Sequence, residues 1–230
     1  MVLNANVRFG WKVDIRPGNK LSMSGEHTKV IAAAAKAELG PLLFKRKGQS
    51  RLWLKDHGFW LNMVAFTPGR WSVSVDLDNA AHWIWAGTGF TSFNYVMDRV
   101  AHTEFEDMEQ FSQSVITIAR AAALRAAEIE EKFPNFEAIA QYVVGRARSS
   151  PDRMGPSWWG YEAGIASALV GSFDDARYFL DGLTDERVTK HAAPLLPLIN
   201  RPDAFKEKVN EIVAQQRAAL KLPALDCLAF

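Results

Sequence analysis

Between residues 42 and 77 the sequence alternates short apolar or aromatic segments with tight-turn signals. The segments read LLFKRK, RLWLK, FWLNMVAF and WSVSVDL, and they are separated by Gly48, by Asp56-His57-Gly58 and by Pro68-Gly69. Parallel strands need crossover connections of a dozen or more residues, which these short links cannot provide. The run therefore predicts an antiparallel meander. In its last segment, Val75 and Leu77 alternate with Ser74 and Asp76, which is typical of a half-buried strand.

Helical patterns lie on both sides of this predicted sheet. Apolar residues recur at helical spacing over about 27–39, and Gly40-Pro41 ends that stretch. A long helix over about 107–132 begins at Asp107, with Gln110 in a position typical of a helix cap. We expect YVMDRVAHTEF to form a fifth strand, and about five helices to follow residue 134. The fold class is predicted to be α+β: an antiparallel sheet of about four or five strands flanked by helices, with an all-helical C-terminal region.

The pattern divides the chain into an α+β domain over 1–133 and a helical region over 134–230 that packs on it. Within the helical region, residues 146–157 (RARSSPDRMGPS) form a polar link that contains proline and glycine. Near the start, VRFGWKV is compatible with a short strand or with an arm packed on the body.

Charge and cysteine content exclude several classes of function. The 27 Lys and Arg residues nearly balance the 26 Asp and Glu residues, so no global field attracts nucleic acid or an anionic membrane. Cys227 is the single cysteine, which excludes an intramolecular disulfide and a cysteine metal cluster. The first residues lack the apolar run of a secretory signal, and no segment has the ~18 consecutive apolar residues of a membrane span. These features predict a cytoplasmic protein.

Residues 26–133 carry a likeness to a known family. The features that carry it are Leu39-Gly40, Phe44, the basic run Lys45-Arg46-Lys47-Gly48, Trp53 and Trp60. Over this range the chain resembles a bacterial family of uncharacterised proteins, defined only as a domain of unknown function. The resemblance implies no activity, substrate or catalytic residue, and the C-terminal third lies outside it. Similar small α+β domains often serve as immunity proteins that bind bacterial toxins, which makes another protein an expected partner by analogy of fold alone.

Tryptophan is concentrated in the predicted sheet: five of the eight tryptophans lie between 53 and 85. Trp60, Trp83 and Trp85 either fill a core covered by the C-terminal helices or line a binding groove, because exposed aromatic groups are typical of binding hot spots. Arg46, in the basic run 45–47, is a further candidate for binding. On a strand, Lys45 and Lys47 face one way and Arg46 the other, and edge lysines also prevent aggregation, so nucleic acid is not an expected partner.

Catalytic signals are sparse. No histidine pair has the HExxH spacing, and no GxSxG motif is present. His82 and His102 could meet across paired strands, with Glu104 or Asp98 completing an acid–base or metal site. Gly87-Thr88-Gly89 is too short to cradle a phosphate and predicts a loop.

The sequence therefore favours a non-enzymatic binding or interaction protein, without a metal site and without a cofactor. One alternative is a hydrolase-like enzyme whose site lies between the sheet and the C-terminal helices. Another is a module that binds a small apolar ligand on the tryptophan group.

Overall fold

A computed structural model describes residues 25–68, 74–97, 101–154 and 157–225 of the 230-residue chain. Predictions about VRFGWKV, Asp98 and Cys227 lie outside these residues, as does the beginning of the predicted strand 71–77. No helix within the described ranges combines the length and the apolar character needed to cross a membrane.

The chain order places strands in the first half and helices in the second. The strands are β1 (Lys45–Arg46), β2 (Leu52–Asp56), β3 (Trp60–Pro68), β4 (Ser74–Trp83), β5 (Tyr95–Val96) and β6 (Ala101–Glu104). The helices are α1 (Gly25–Leu39), α2 (Met108–Lys132), α3 (Phe136–Ser149), α4 (Pro151–Met154), α5 (Trp158–Leu169), α6 (Phe173–Asp181), α7 (Glu186–Ala192) and α8 (Pro202–Ala219). Short 3-10 turns cover Ile84–Ala86 and Leu196–Leu198.

The sheet is antiparallel, in the order β1-β2-β3-β4-β5, and β6 pairs with the first half of β4. This confirms the predicted α+β class, with an antiparallel sheet followed by C-terminal helices. The longest pairing runs from Trp60 opposite Trp83 to Pro68 opposite Val75. The short links allow only this meander, because each strand must return beside the one before it.

Two asparagines fix α2 on one face of the sheet. Asn62 of β3 donates from Nδ2 to the carbonyl of Ala126 at 2.8 Å, and Asn79 of β4 donates to the carbonyl of Ala122 at 3.0 Å. Ala122 and Ala126 are one helical turn apart. Burying an amide N–H group without a partner would cost free energy. These two N–H groups find partners because each helix carbonyl has a second lone pair beside the one used within the helix. They set the position of α2 along the sheet.

Four local predictions are wrong. The predicted fifth strand YVMDRVAHTEF contains two short strands, β5 and β6, which pair with different parts of β4. The predicted strand LLFKRK shortens to Lys45–Arg46, because the chain is still turning away from α1 at residues 40–43. Ser74, expected on a solvated face, is buried in β4. The predicted polar link 146–157 is mostly helical, because α3 continues to Ser149 and α4 covers Pro151–Met154.

The sheet and the C-terminal helices share one hydrophobic core. Trp60 and Trp83 from the strands belong to the same buried cluster as Ile139 of α3, Ile165 of α5 and Val209 of α8. A second cluster lies at the other end of the sheet, against α1 and α2. The helices after residue 134 therefore complete a core that the strands begin.

Candidate functional site

The three tryptophans proposed for binding are core residues. Trp60 is 2% exposed, and Trp83 and Trp85 are fully buried. Trp83 stacks on Trp85, with ring centroids 6.4 Å apart. Each of these rings also makes an edge-to-face contact: the centroid of Trp83 lies 5.2 Å from that of Phe133, and the centroid of Trp85 lies 5.7 Å from that of Phe136. The groove interpretation of this group is wrong, because the α2–α3 connection covers the rings.

The predicted meeting of His82 with His102 does not occur. His102 of β6 lies opposite Asp76, with Nδ1 2.8 Å from Oδ1 of that carboxylate, and Glu104 is 3.7 Å from Nε2. The His102 side chain is 45% exposed on the sheet surface. His82 lies six residues farther along β4, which corresponds to roughly 20 Å. His102 and Glu104 thus lie at the surface, while His82 belongs to a different, buried cluster.

His82 is at the centre of a polar network between β4 and α8. Gln216 of α8 donates from Nε2 to His82 Nε2 at 3.3 Å. We assign the ring hydrogen to Nδ1, because Nε2 accepts from Gln216; Nδ1 lies 3.0 Å from Asn94 Oδ1 and 3.1 Å from Ser92 Oγ. The backbone N–H of Ser92 makes a longer contact with the same nitrogen, at 3.3 Å. The backbone N–H of Trp83 also donates to Asn94 Oδ1, at 2.9 Å. The imidazole is fully buried and bonded on both nitrogens, which fixes its orientation.

The same network continues into the helices. Asn94 donates from Nδ2 to Oε1 of Glu162 at 2.6 Å, and the guanidinium of Arg146 bonds to Oε2 of Glu162 and to the carbonyl of Asn94. Glu162 of α5 is fully buried, and burial raises the pKa of its carboxyl, while Arg146 opposes that rise. The Arg146 guanidinium also lies over the ring of Trp159, 4.8 Å from its centroid. Buried charges with this many partners hold three separate elements together.

Acidification should destabilise the protein through His82. Burial lowers the pKa of the His82 imidazole from 6.5 to about 4. Between these values the unfolded chain binds a proton that the folded chain does not bind, so the free energy of unfolding should fall by about 3 kcal/mol as the pH falls from 6.5 to 4. Urea titrations at several pH values measure this slope. His82→Gln should flatten it, and an unchanged slope in that variant would contradict the assignment.

Lys45 and Arg46 of the basic run line a groove at the edge of the sheet, whereas Lys47 donates to Thr91 instead. The groove has a volume of about 420 Å³ and lies between α1 and the edge strand β1. Three cations line it, Lys36, Lys45 and Arg46, and its floor includes the buried rings of Phe44 and Trp53. We name this surface the basic edge.

The cations of the basic edge differ in how they are engaged. The Arg46 guanidinium donates to the carbonyls of Ser50 at 2.6 Å and Gln49 at 2.9 Å, which closes the β1–β2 turn and leaves other N–H groups of the fork unused. Within the part of the chain that the structure describes, Lys36 and Lys45 form no ion pair, and both are exposed. The basic edge therefore presents positive charge that no described residue neutralises.

Leu43 is an exposed apolar residue in a left-handed conformation beside this groove. Its φ is 69° and it is 73% exposed. A bulky non-glycine residue rarely adopts positive φ, which costs roughly 1–2 kcal/mol. The turn from α1 into β1 imposes this conformation, because Phe44 N donates to the carbonyl of Leu39 at 3.2 Å while the Phe44 ring enters the core.

The sequence offered Arg46 and His82 as candidates but not the other members of the buried network around His82. Arg146 was assigned to a polar link. Glu162 is the single charged residue in an apolar helix, and that contrast was the signal available for it. Gln216, 134 residues from its partner His82, gave no local signal.

Among the described residues, no group of three or more His, Cys, Asp or Glu side chains could hold a metal ion. Comparison of the chain with protein-family models, curated proteins and solved structures finds no match. The resemblance over residues 26–133 therefore stays a prediction.

Proposed function

We propose that this is a non-enzymatic binding protein that takes an acidic segment of a partner protein at the basic edge. The observation that carries the proposal is a groove with three cations on its rim and aromatic side chains in its floor. Ion pairs at such a rim steer association and set specificity, while apolar contact in the floor supplies affinity. An acidic segment with an apolar anchor fits both features.

Leu43 strengthens this choice of partner. A leucine that is held in a strained conformation and exposed to solvent adds nothing to the core. Strained residues that the fold retains cluster at binding surfaces. Because Leu43 immediately precedes the groove residue Phe44, it extends the apolar part of the basic edge and favours a protein over a phosphate backbone as the occupant.

The placement of the other candidates supports the proposal as well. His102 and Glu104 lie on an open face of the sheet, and His82 is enclosed by hydrogen-bond partners. Catalysis needs such groups to reach a substrate together. If the protein is an immunity protein, its partner would be a bacterial toxin with an acidic patch that binds the basic edge.

A peptide selection tests the proposal. A library of random 12-residue peptides is selected on the protein, and the affinity of the enriched peptides is measured by fluorescence anisotropy. We expect sequences with Asp or Glu beside a large apolar residue. Reversing two charges with Lys36→Glu and Lys45→Glu should weaken binding at least about tenfold, since the attraction becomes repulsion. Lys29→Glu, a single reversal at another exposed position of α1, is the control and should change affinity less than about twofold, whereas Lys36→Glu alone should weaken binding more than this.

The proposal fails if enriched peptides are basic or lack a charge pattern, or if the double reversal leaves their affinity unchanged. Tight binding of a single-stranded oligonucleotide that is lost in the same double variant would also contradict it. Both lysines are exposed, so we expect each variant to keep the fold, and circular dichroism checks this.

Replacing Leu43 should separate stability from binding. Leu43→Asn places a residue that tolerates positive φ at this position, so the free energy of unfolding should rise by about 0.5–1 kcal/mol. The same variant should weaken binding of the selected peptides, because the exposed apolar side chain is gone. Urea denaturation and anisotropy measure the two effects. A variant that is less stable than the original, or that binds as well, would contradict the role given to Leu43.

A further inference from the structure

A second cleft lies between the Gly87–Gly89 segment and the C-terminal helices. Its volume is about 400 Å³, within the range of about 300–1,000 Å³ that small-molecule sites occupy. Tyr161 of α5, Lys190 of α7 and Lys208 of α8 line it, together with Ile212. None of these residues belongs to the basic edge.

The charges at this cleft are predominantly positive. Lys208 is partly neutralised by Glu211, whose Oε2 lies 2.6 Å from its Nζ. Lys190 is exposed and has no carboxylate partner in the described part of the chain. His191 also lines the cleft, and burial lowers the pKa of its imidazole, so it is neutral at pH 7. Two ammonium groups therefore line the cleft: that of Lys190, which no described carboxylate neutralises, and that of Lys208, which is paired with Glu211.

Tyr161 supplies an independent indication of a polar ligand. It is 1% exposed overall and lines the cleft, and among the described residues no side chain or backbone group is hydrogen-bonded to its hydroxyl. Burial, with a smaller contribution from Glu162, raises the pKa of this phenol, so the hydroxyl remains a donor. Because Tyr161 lines the cleft, a ligand there can accept a hydrogen bond from this hydroxyl.

The wall formed by residues 87–89 is fixed in place. Gly87 has a φ of 62°, and a Cβ there would lie 2.5 Å from Cγ2 of Ile212, so only glycine allows α8 this close. Gly89 N–H donates to Oε1 of Gln216 at 2.6 Å. A cleft whose walls are held by such contacts loses little entropy when a ligand enters.

We propose that this cleft binds a small organic anion with an apolar body. The acidic group contacts the ammonium groups of Lys190 and Lys208 and accepts a hydrogen bond from the Tyr161 hydroxyl. The apolar body lies against Ile212. This site is independent of the basic edge, and either can exist without the other.

Two related dyes test the proposal. 1-Anilinonaphthalene-8-sulfonate carries an anionic group on an apolar body, and N-phenyl-1-naphthylamine is the same body without the charge. We expect saturable binding of the sulfonate at one site per chain, measured by fluorescence. The double variant Lys190→Gln, Lys208→Gln should weaken it about tenfold, because two ammonium groups that attract the sulfonate are lost. Tyr161→Phe should weaken it about threefold, because one hydrogen bond to the sulfonate is lost. The uncharged dye should bind all variants alike.

A matched double variant at the basic edge, Lys36→Gln with Lys45→Gln, distinguishes the two sites. It should leave sulfonate binding unchanged, since those lysines line the other groove. The proposal is overturned if the wild-type chain shows no saturable sulfonate binding, if the Lys190 and Lys208 variant binds within twofold of wild type, or if the basic-edge variant is the one that loses binding. Tyr161→Phe retains the buried ring, so its fold is expected to persist, and a thermal melt checks this.

Discussion

Replacing Trp83 with alanine is expected to lower the free energy of unfolding by about 3–5 kcal/mol, the range for a fully buried aromatic residue. Its indole contacts Phe133 edge-on and lies between Trp60 and Trp85. Truncation would leave a cavity where β4 meets the α2–α3 connection, and the sheet and the helices would lose a shared contact. Urea denaturation followed by far-UV circular dichroism measures the loss.

An exposed apolar residue serves as the control. Leu124 of α2 is 69% exposed, and Leu124→Ala should change stability by less than about 1 kcal/mol. If Trp83→Ala cost no more than this control while abolishing binding of a partner, the ring would be a binding residue, and the packing account of the tryptophans would be wrong.

Replacing Glu162 with alanine is expected to cost about 3–5 kcal/mol as well. The change removes the carboxylate that accepts bonds from Arg146 and Asn94, and it leaves a guanidinium only 13% exposed without its counter-charge. An unpaired buried charge is far more costly than the pair is favourable. Chemical denaturation measures the loss in the single variant.

The double variant Glu162→Leu with Arg146→Met removes both charges and is compared with the single variants, which remove one. Two apolar side chains of similar size remove both charges together, so much of the lost stability should return. If the double variant were as unstable as the sum of its single variants, the two groups would not be coupled, and the network would not connect α3 with α5.

The elements could be predicted wherever a pattern is local. The alternation around Val75 and Leu77, the glycine turns and the cap at Asp107 all act within a few residues, and the structure confirms a strand over residues 74–77 and the helix α2. β4 continues to Trp83, beyond the predicted end of that strand. Asp107 accepts from the N–H groups of Glu109 and Gln110, as that cap predicts. The sequence predicts a loop around Arg146, because arginine beside serine and proline is typical of one. In the structure Arg146 lies in α3, where its guanidinium pairs with the buried carboxylate of Glu162.

The binding surfaces were harder to predict than the fold. The positive φ of Leu43 leaves no trace in the sequence, because leucine is not a residue that marks such a conformation. The second cleft joins residues 87–89 to Lys190 and Lys208, about 100 residues away, and only the packing of α8 on Gly87 brings them together. The tryptophan density was visible, but its burial depended on helices whose position the sequence did not reveal.

The basic edge is tested most directly by amide hydrogen exchange of the protein with and without a selected acidic peptide. The account predicts that exchange slows over residues 40–47, where Leu43 and Lys45 would contact the peptide, and stays unchanged at residues 101–104 and 83–89. Slower exchange around His102 or beside Trp83, with no change over residues 40–47, would contradict it.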